Sequence, residues 1–459
     1  MKITGYFSLL FLFILNCSFL LSSSQIDISR DIKFQKMDGI GANCYSFPFA
    51  SDLGWKWDKV KFVFDELDLS YIRTAPWFDL WEPENDDANP YHFNWQKYDP
   101  KKVIQGHDFA MMKFLKERGI ELTLGIWTAG PWLAKGTPPS IEEQGFPELG
   151  ESIAAFLVKS RELGFPIEHA EVQNEPDIAA SVVYSSPEKL KKAALQLIDQ
   201  LDRNGLQSVT LHLPNLSKPT DTVKWGEILL SDKKIKNRTA AISFHTWWVN
   251  EEKEFTKIWE FAKAQNKPVW VTEVGYCALP QGCFGGTHFL KPETWATAWD
   301  FALSYFRSIA WSHASRVYHW SLLGNDAAVS KTGEKYPSFY ILKHFANYIP
   351  KNSMLIRSLA SDPKVLSLVF ETDKGELRAI LINTKKEYED VTLKLSNGAA
   401  LILQEALSST SNSFMKEAMV SQRSPTTLSF HLSPESITSI KFAANETEQR
   451  YESQDLDEN

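Results

Sequence analysis

The sequence predicts an α/β chain: a (β/α)8 TIM barrel followed by a C-terminal antiparallel β-sandwich. Three observations carry that expectation. From about Met37 to Ile349, short apolar runs alternate with amphipathic helical stretches, and eight such runs can be counted. After Tyr348 the helical periodicity stops, and strand-and-turn patterning continues to Ala443. Two of the apolar runs, Val172-Gln173-Asn174-Glu175-Pro176 and Val269-Trp270-Val271-Thr272-Glu273, carry a glutamate where the run ends. In a barrel of this kind the active site sits at the C-terminal ends of the strands, so both carboxylates would reach one rim.

Taken in order, residues 1–24 read as a secretory signal: Lys2, the apolar run Tyr6–Leu21, then Ser22-Ser23-Ser24. The run falls short of the roughly 20 apolar residues of a membrane span. The mature chain is therefore expected to be secreted or extracytoplasmic with no membrane span; an uncleaved N-terminal anchor is the alternative, and Asn16 before Cys17 argues against lipidation there. Residues 25–37 show strand-like alternation. Residues 38–349 form the barrel. Its strand candidates are Asp38–Cys44, Tyr71–Trp77, Leu122–Trp127, Ala170–Asn174, Val209–Leu213, Ala241–Thr246, Val269–Glu273 and Val317–Ser321. Helical patterns fall on Lys56–Leu67, His107–Arg118, Ser152–Leu163, Pro187–Arg203, Glu254–Gln265 and Thr294–Trp311. A doubly wound sheet is the rival, but no Gly-rich phosphate loop follows the first strand. Residues 350–443 give the sandwich, with turns at Asp373-Lys374-Gly375 and Asn397-Gly398, the latter a hairpin signal. Residues 444–459 are acidic, almost without apolar side chains, and expected to be disordered.

Composition excludes some functions. The 459 residues are 43% hydrophobic, enough for a large core and more than one domain. A net charge of -8 without a long basic run argues against nucleic acid. Sixteen tryptophans suit stacking on sugar rings as well as packing. Of four cysteines, Cys17 leaves with the signal; Cys277 and Cys283 could close a small disulfide loop with Cys44 a buried thiol, or Cys44 pairs with one of them. The spacing fits no zinc site, and no metal or cofactor is expected. Asn215, Asn237 and Asn445 stand in glycosylation sequons.

The residues at the predicted strand ends are polar and aromatic: Arg73 and Trp77, Trp127 and Trp132, Asn174 and Glu175, His245 with Trp247 and Trp248, Glu273 and Tyr276, and His319 with Trp320. Two carboxyls across a cleft can cleave a glycosidic bond, one protonating the leaving oxygen and one attacking the anomeric carbon. Glu175 then has to be protonated, its pKa raised by burial and by the charge of Glu273, and Glu273 ionised beside Arg73. Asn174 would donate to the sugar 2-hydroxyl. Trp320 is the expected sugar platform, and of Trp247 and Trp248 only one can face the cleft.

With those residues in place, the chain resembles a clan-A glycoside hydrolase, which places an acid/base Glu after strand four, typically in Asn-Glu-Pro, and a nucleophile Glu after strand seven. It is most similar to glycoside hydrolase family 30. Gly39-Ile40-Gly41-Ala42, Arg73 in Tyr-Ile-Arg-Thr-Ala-Pro-Trp, Trp132, His245 and Trp320 carry the family-level likeness. The resemblance implies a sandwich completed by a segment before the barrel, here Ile26–Lys36. It also implies a retaining β-glycosidase acting on a β-linked oligo- or polysaccharide or glycoconjugate, such as glucosylceramide, xylan, β-1,6-glucan or β-1,6-galactan. The rival readings are a transglycosylase of another clan-A family and a non-catalytic carbohydrate-binding barrel; the second would commonly lack one carboxylate, and this chain has both.

Overall fold

The computed structural model describes residues 24–44, 55–179, 182–275, 291, 293–323 and 327–445. The signal segment, the acidic tail from residue 446, Tyr276 and the Cys277/Cys283 pair lie outside the described residues. After β1 (Ser24–Lys36), eight strands close into a parallel barrel: β2 (Gly39–Cys44), β3 (Tyr71–Thr74), β4 (Glu121–Leu124), β5 (His169–Ala170), β6 (Thr210–Leu216), β7 (Thr239–His245), β8 (Val269–Val274) and β9 (Ala314–Leu323). Closure is by β2 against β9, with Gly39 opposite Arg316 and Ile40 opposite Val317. Every residue of β2, β8 and β9 is buried. Strands covered on both faces read as continuous apolar runs, which is why they were legible.

Helix Pro187–Arg203 has the bounds its sequence signals. The Ser186 side chain accepts from the Lys189 N–H, proline opens the first turn, and Leu190, Ala193, Ala194, Leu197, Ile198 and Leu201 form the buried stripe. The stretch expected as one helix over Lys56–Leu67 is instead two single turns, Trp57–Val60 and Val63–Glu66. Val60, Phe62, Val63 and Phe64 are β-branched or aromatic, with low helix propensity. Helix Phe146–Glu162 starts six residues before the expected Ser152, because Pro147 opens its first turn. No helix among the described residues is long and apolar enough to cross a membrane.

Strand β5 is shorter than expected. Beyond Ala170 the chain leaves regular pairing but keeps cross-strand bonds: Asn174 N–H donates to Ile126 C=O at 2.7 Å and Glu175 N–H to Asn215 C=O at 3.2 Å. Glu175 has φ +44°. A left-handed backbone is uncommon for a non-glycine residue and re-aims its side chain relative to a straight strand.

The remaining strands are β10 (Met354–Ala360), β11 (Val365–Glu371), β12 (Leu377–Asn383), β13 (Glu389–Leu395), β14 (Ala400–Thr410), β15 (Ser413–Glu417), β16 (Val420–Ser424), β17 (Thr427–Leu432) and β18 (Ser436–Asn445). With β1 they form one ten-stranded sheet, order β15-β14-β18-β12-β11-β10-β1-β13-β17-β16. Ile26, Val369, Leu381, Leu393, Phe430 and Ile440 share one core, so the sheet folds over on itself. The alternate residues Leu368, Phe370, Ile380, Ile382 and Ile437 join the barrel's core instead. The segment before the barrel does enter the sheet, antiparallel to β10 but parallel to β13, so the sheet is not purely antiparallel. Asp373-Lys374-Gly375 closes a β11–β12 hairpin, with Gly375 at φ +77°. Asn397-Gly398 does not close a hairpin: β13 pairs with β1 and β17, whereas β14 pairs with β18 and β15, so this turn carries the chain between leaves of the sheet.

Candidate active site

The ends of β3, β7 and β8 and the segment after β5 bring Arg73, His245, Glu273 and Glu175 together. His245 stands between the two carboxylates. Its Nδ1 lies 2.9 Å from Glu175 Oε1 and 3.2 Å from Glu273 Oε2. Glu273 is further held by Arg73 Nη1 at 2.9 Å on Oε1 and by the Trp247 indole N–H at 3.1 Å on Oε2. All four groups are almost wholly buried.

Burial and hydrogen bonding push the two carboxyls apart. Desolvation, reinforced by the charge of Glu273, raises Glu175 to about 7. For Glu273 burial works in the same direction, but His245 and Arg73 outweigh it and hold the carboxyl below its ordinary value. Burial opposes the charged form of His245, yet Glu273 and Glu175 carry it up to about 9, so Nδ1 is a donor near neutral pH. The arrangement is one neutral acid facing one carboxylate, the division of labour that acid-assisted displacement needs. Glu175, His245 and Glu273 each offer a ligand atom within 4.8 Å of the others. They make a poor metal site, because His245 is protonated and two cations, His245 and Arg73, already offset the carboxylates.

A layer of buried polar groups lies beneath the pair. Arg73 Nη2 meets Glu171 Oε2 at 2.7 Å and Asn174 Oδ1 at 2.6 Å, and Nη1 donates to Asn43 Oδ1 at 2.9 Å. Glu171 also accepts from Ile126 N–H at 2.6 Å and from Asn215 Nδ2 at 2.9 Å. Asn43 Nδ2 donates to Thr272 C=O at 2.9 Å. Glu171, Asn43 and Asn215 were missed by the sequence reading. The spacing of Glu171, Gln173 and Glu175 offered one signal, since alternate residues of an extended segment share a face. Asn215 is fully buried and engaged, so its sequon is not a glycosylation site, whereas Asn237 is exposed.

The aromatic residues divide. Trp127 lies under the Arg73 guanidinium, 4.2 Å from ring centroid to Cζ. Trp320 is 5.9 Å from Trp127 and 6.4 Å from Trp247, edge-on to the latter. These three indoles therefore bracket the Arg73–Glu273 pair, and Trp247 rather than Trp248 reaches the carboxylate. Close packing leaves Gly125 no room for a side chain: a Cβ there would lie 2.4 Å from the Trp127 ring and 3.2 Å from Arg73 Nε. Trp132 turns its N–H to the Glu82 carbonyl at 3.1 Å, on the loop after β3. Trp77 caps the short helix Phe78–Trp81 and is 39% exposed. Trp77 follows β3 and Trp132 follows β4, each outside the strand itself. His319 packs against Phe301, 4.4 Å between ring centres, and burial lowers it to about 3; it belongs to the packing between barrel and helices.

Residues 160–336, which span Glu175, His245 and Glu273, match the family model described as the glycosyl hydrolase catalytic core. The barrel thus has the form of a glycoside hydrolase core. No curated protein matches the chain. Among solved structures the chain is similar to a family 30 endoxylanase from Clostridium papyrosolvens C71, with a TM-score of 0.71 and 14% identity over 92% of this chain and 100% of that one. It is similar to an endo-β1,6-glucanase at TM-score 0.67 and 16% identity, covering 92% and 94%. A conserved exported protein from Bacteroides fragilis gives 0.68 and 15%, covering 91% and 99%. The barrel with its appended sheet is the architecture of the family 30 glycoside hydrolases.

Proposed function

We propose that the chain is a retaining β-glycosidase, an O-glycosyl hydrolase that is exported, with Glu273 as nucleophile and Glu175 as acid/base. One observation carries the reading: two buried carboxyls face each other across His245, and their surroundings push the pKa of Glu175 up and that of Glu273 down. Their facing oxygens lie within 4.8 Å, closer to the about 5–5.5 Å of retaining pairs than to the about 6.5–9.5 Å of inverting ones. Glu273 attacks the anomeric carbon while Glu175 gives its proton to the departing oxygen. The resulting ester carries no charge, so the repulsion that raised Glu175 is relieved and its carboxylate can take a proton from water. That water attacks the same carbon, the ester bond breaks, and Glu273 leaves as carboxylate. Arg73 and the Trp247 N–H hold the carboxylate in line for attack, and Trp320 with Trp127 offers the apolar face for a sugar ring. A β-linked substrate is supported by the names of the similar structures, and export by the N-terminal signal pattern.

The test is sugar release by the mature chain, from Gln25 onward, on a panel of β-linked glycans and aryl β-glycosides, with Glu175→Ala and Glu273→Ala alongside. Release that vanishes in both variants supports the assignment. Sugar binding without release by the parent chain would move the chain to the binding-protein class.

The pH profile follows from the two carboxyls. Activity requires Glu175 protonated, so kcat/KM falls as pH rises through about 7. It requires Glu273 ionised, so the acid limb lies below the ordinary carboxylate range. The two apparent values belong to the coupled pair. An activity that kept rising above pH 8 would contradict a protonated Glu175. For the sugar platform, Trp320→Ala is expected to raise KM roughly tenfold with a smaller change in kcat, because stacking is present before and during reaction. An unchanged KM would return Trp320 to core packing.

A further inference from the structure

A second group of acids lies between the loop after β3 and helix Phe146–Glu162. We propose that Asp86, Glu148 and Glu151, with the buried Glu82 beside them, bind one divalent cation through the first three, calcium by its chemistry, which ties that loop to the helix. Carboxylate oxygens of Asp86, Glu148 and Glu151 all lie within 4.8 Å of one another. Two oxygens each about 2.4 Å from a common calcium ion can be at most about 4.8 Å apart, so the three fit one coordination sphere.

Unanswered polar atoms point into this group. Glu151 is fully buried, and no N–H or hydroxyl donor among the described residues reaches either carboxylate oxygen; its side-chain partner is another acid, the carboxyl of Glu148. Oε1 of Glu82, which is 1% exposed, also meets no donor, and the buried Tyr98 hydroxyl faces Asp86. Asp86 is already oriented, each oxygen accepting one backbone N–H at 2.7 Å, from Asp87 and from Asn94. Each of those oxygens keeps a second lone pair. Among the described residues no lysine, arginine or histidine forms an ion pair with any of the four carboxylates. Buried carboxylates without a counter-charge are costly.

The donors are oxygen only, which selects a hard cation over zinc or copper. One comes from a loop and two from one helix face at i, i+3, a flexible set that suits calcium better than the rigid octahedron of magnesium. Glu148 is half-buried and lines a cavity of about 220 Å³ with Trp132, Leu133 and Lys135, which gives the ion a path from solvent. The backbone carbonyl of Glu82 holds the Trp132 indole at 3.1 Å, so an ion that ties the segment around Asp86 to the helix would also steady the loop that carries Trp132. No sequence spacing announces the site, because its ligands are spread from residue 86 to residue 151.

The experiment strips the mature chain with EDTA and titrates calcium chloride by calorimetry, with melting temperature as a second readout and magnesium chloride as comparison. One calcium per chain is expected, with a melting temperature raised by about 2–4 °C at saturation. Glu151→Gln and Asp86→Asn should lose that response. In EDTA, Glu151→Gln should be at least as stable as the parent, since an amide of the same shape replaces an acid buried among acids; this separates a lost ion from a damaged fold. Equal melting temperatures in calcium and EDTA with no bound calcium would overturn the proposal, the acids then sharing protons instead. A calcium response that persists in both variants would overturn it equally, by placing the ion elsewhere.

Discussion

Replacing Glu273 is expected to lower turnover by about 10⁴-fold or more while sugar binding survives. The form of the replacement matters, because all three groups facing this carboxylate are donors: Arg73 Nη1, His245 Nδ1 and Trp247 Nε1. A glutamine can turn its carbonyl to one side only, and its NH2 then meets a donor on the other. Glu273→Gln is therefore expected to be less stable than the parent by about 1–3 kcal/mol. Glu273→Ala avoids the donor conflict and opens space. In that space azide can attack the anomeric carbon directly, and a single displacement gives a glycosyl azide of inverted configuration. In Glu175→Ala the ester on Glu273 still forms with a good leaving group, and azide opens it with overall retention. The two products, distinguished by NMR, assign the roles independently of rate. Opposite stereochemistry from the two variants would exchange the assignments of Glu175 and Glu273, and turnover undiminished in Glu273→Ala would place the nucleophile elsewhere. Loss of Glu273 also removes a charge that raises Glu175, so the remaining carboxyl should titrate below about 7.

The parts of this site that were legible in the sequence share a cause. Glu175, Arg73, His245 and Glu273 stand at or beside the ends of apolar runs, and the barrel's geometry turns strand ends into one surface. Glu171, Asn43 and Asn215 lie one layer down, where a polar residue in an apolar run looks like a strand interruption or, for Asn215, like a surface sequon. Their meaning depends on partners 30 to 229 residues away, on other strands. Trp77 and Trp132 were assigned from their place after β3 and β4. Sequence position fixes which end of the barrel a residue occupies, but not where a loop side chain points. Strand β10 and strands β14 to β16 of the sheet are not legible in the sequence; the last three lie toward the edges of the sheet, half exposed, with weak alternation along them. The hairpin expected at Asn397-Gly398 failed for a related reason: a turn sequence specifies a local reversal, whereas the partner of the next strand is decided by the fold of the whole sheet.

The largest effect on stability is expected at Arg73. Its guanidinium is fully buried and bonds to Glu171, Glu273, Asn43 and Asn174. Arg73→Met keeps volume and removes the charge, which leaves Glu171 and Glu273 buried with less compensation. Breaking a buried pair from one side costs about 3–5 kcal/mol, read as a lower urea midpoint. Lysine is no substitute, because one ammonium cannot reach both carboxylates in the geometry of the planar fork. The two carboxylates can then be separated. Glu171→Gln removes the charge from the deeper one and keeps an acceptor for Ile126 N–H. In the double variant Arg73→Met/Glu171→Gln, part of the lost stability should return, a coupling of about 0.5–3 kcal/mol. Activity should not return, because Glu273 still lacks the cation that helps hold it ionised. Its acid limb should move upward in both the single and the double variant. Recovery of activity together with stability would make Arg73 a structural partner of Glu171 alone, and its contact with Glu273 incidental. Recovery of stability without activity would separate two functions of one side chain: neutralising the charge buried under the barrel mouth, and keeping the carboxylate above it ready to attack.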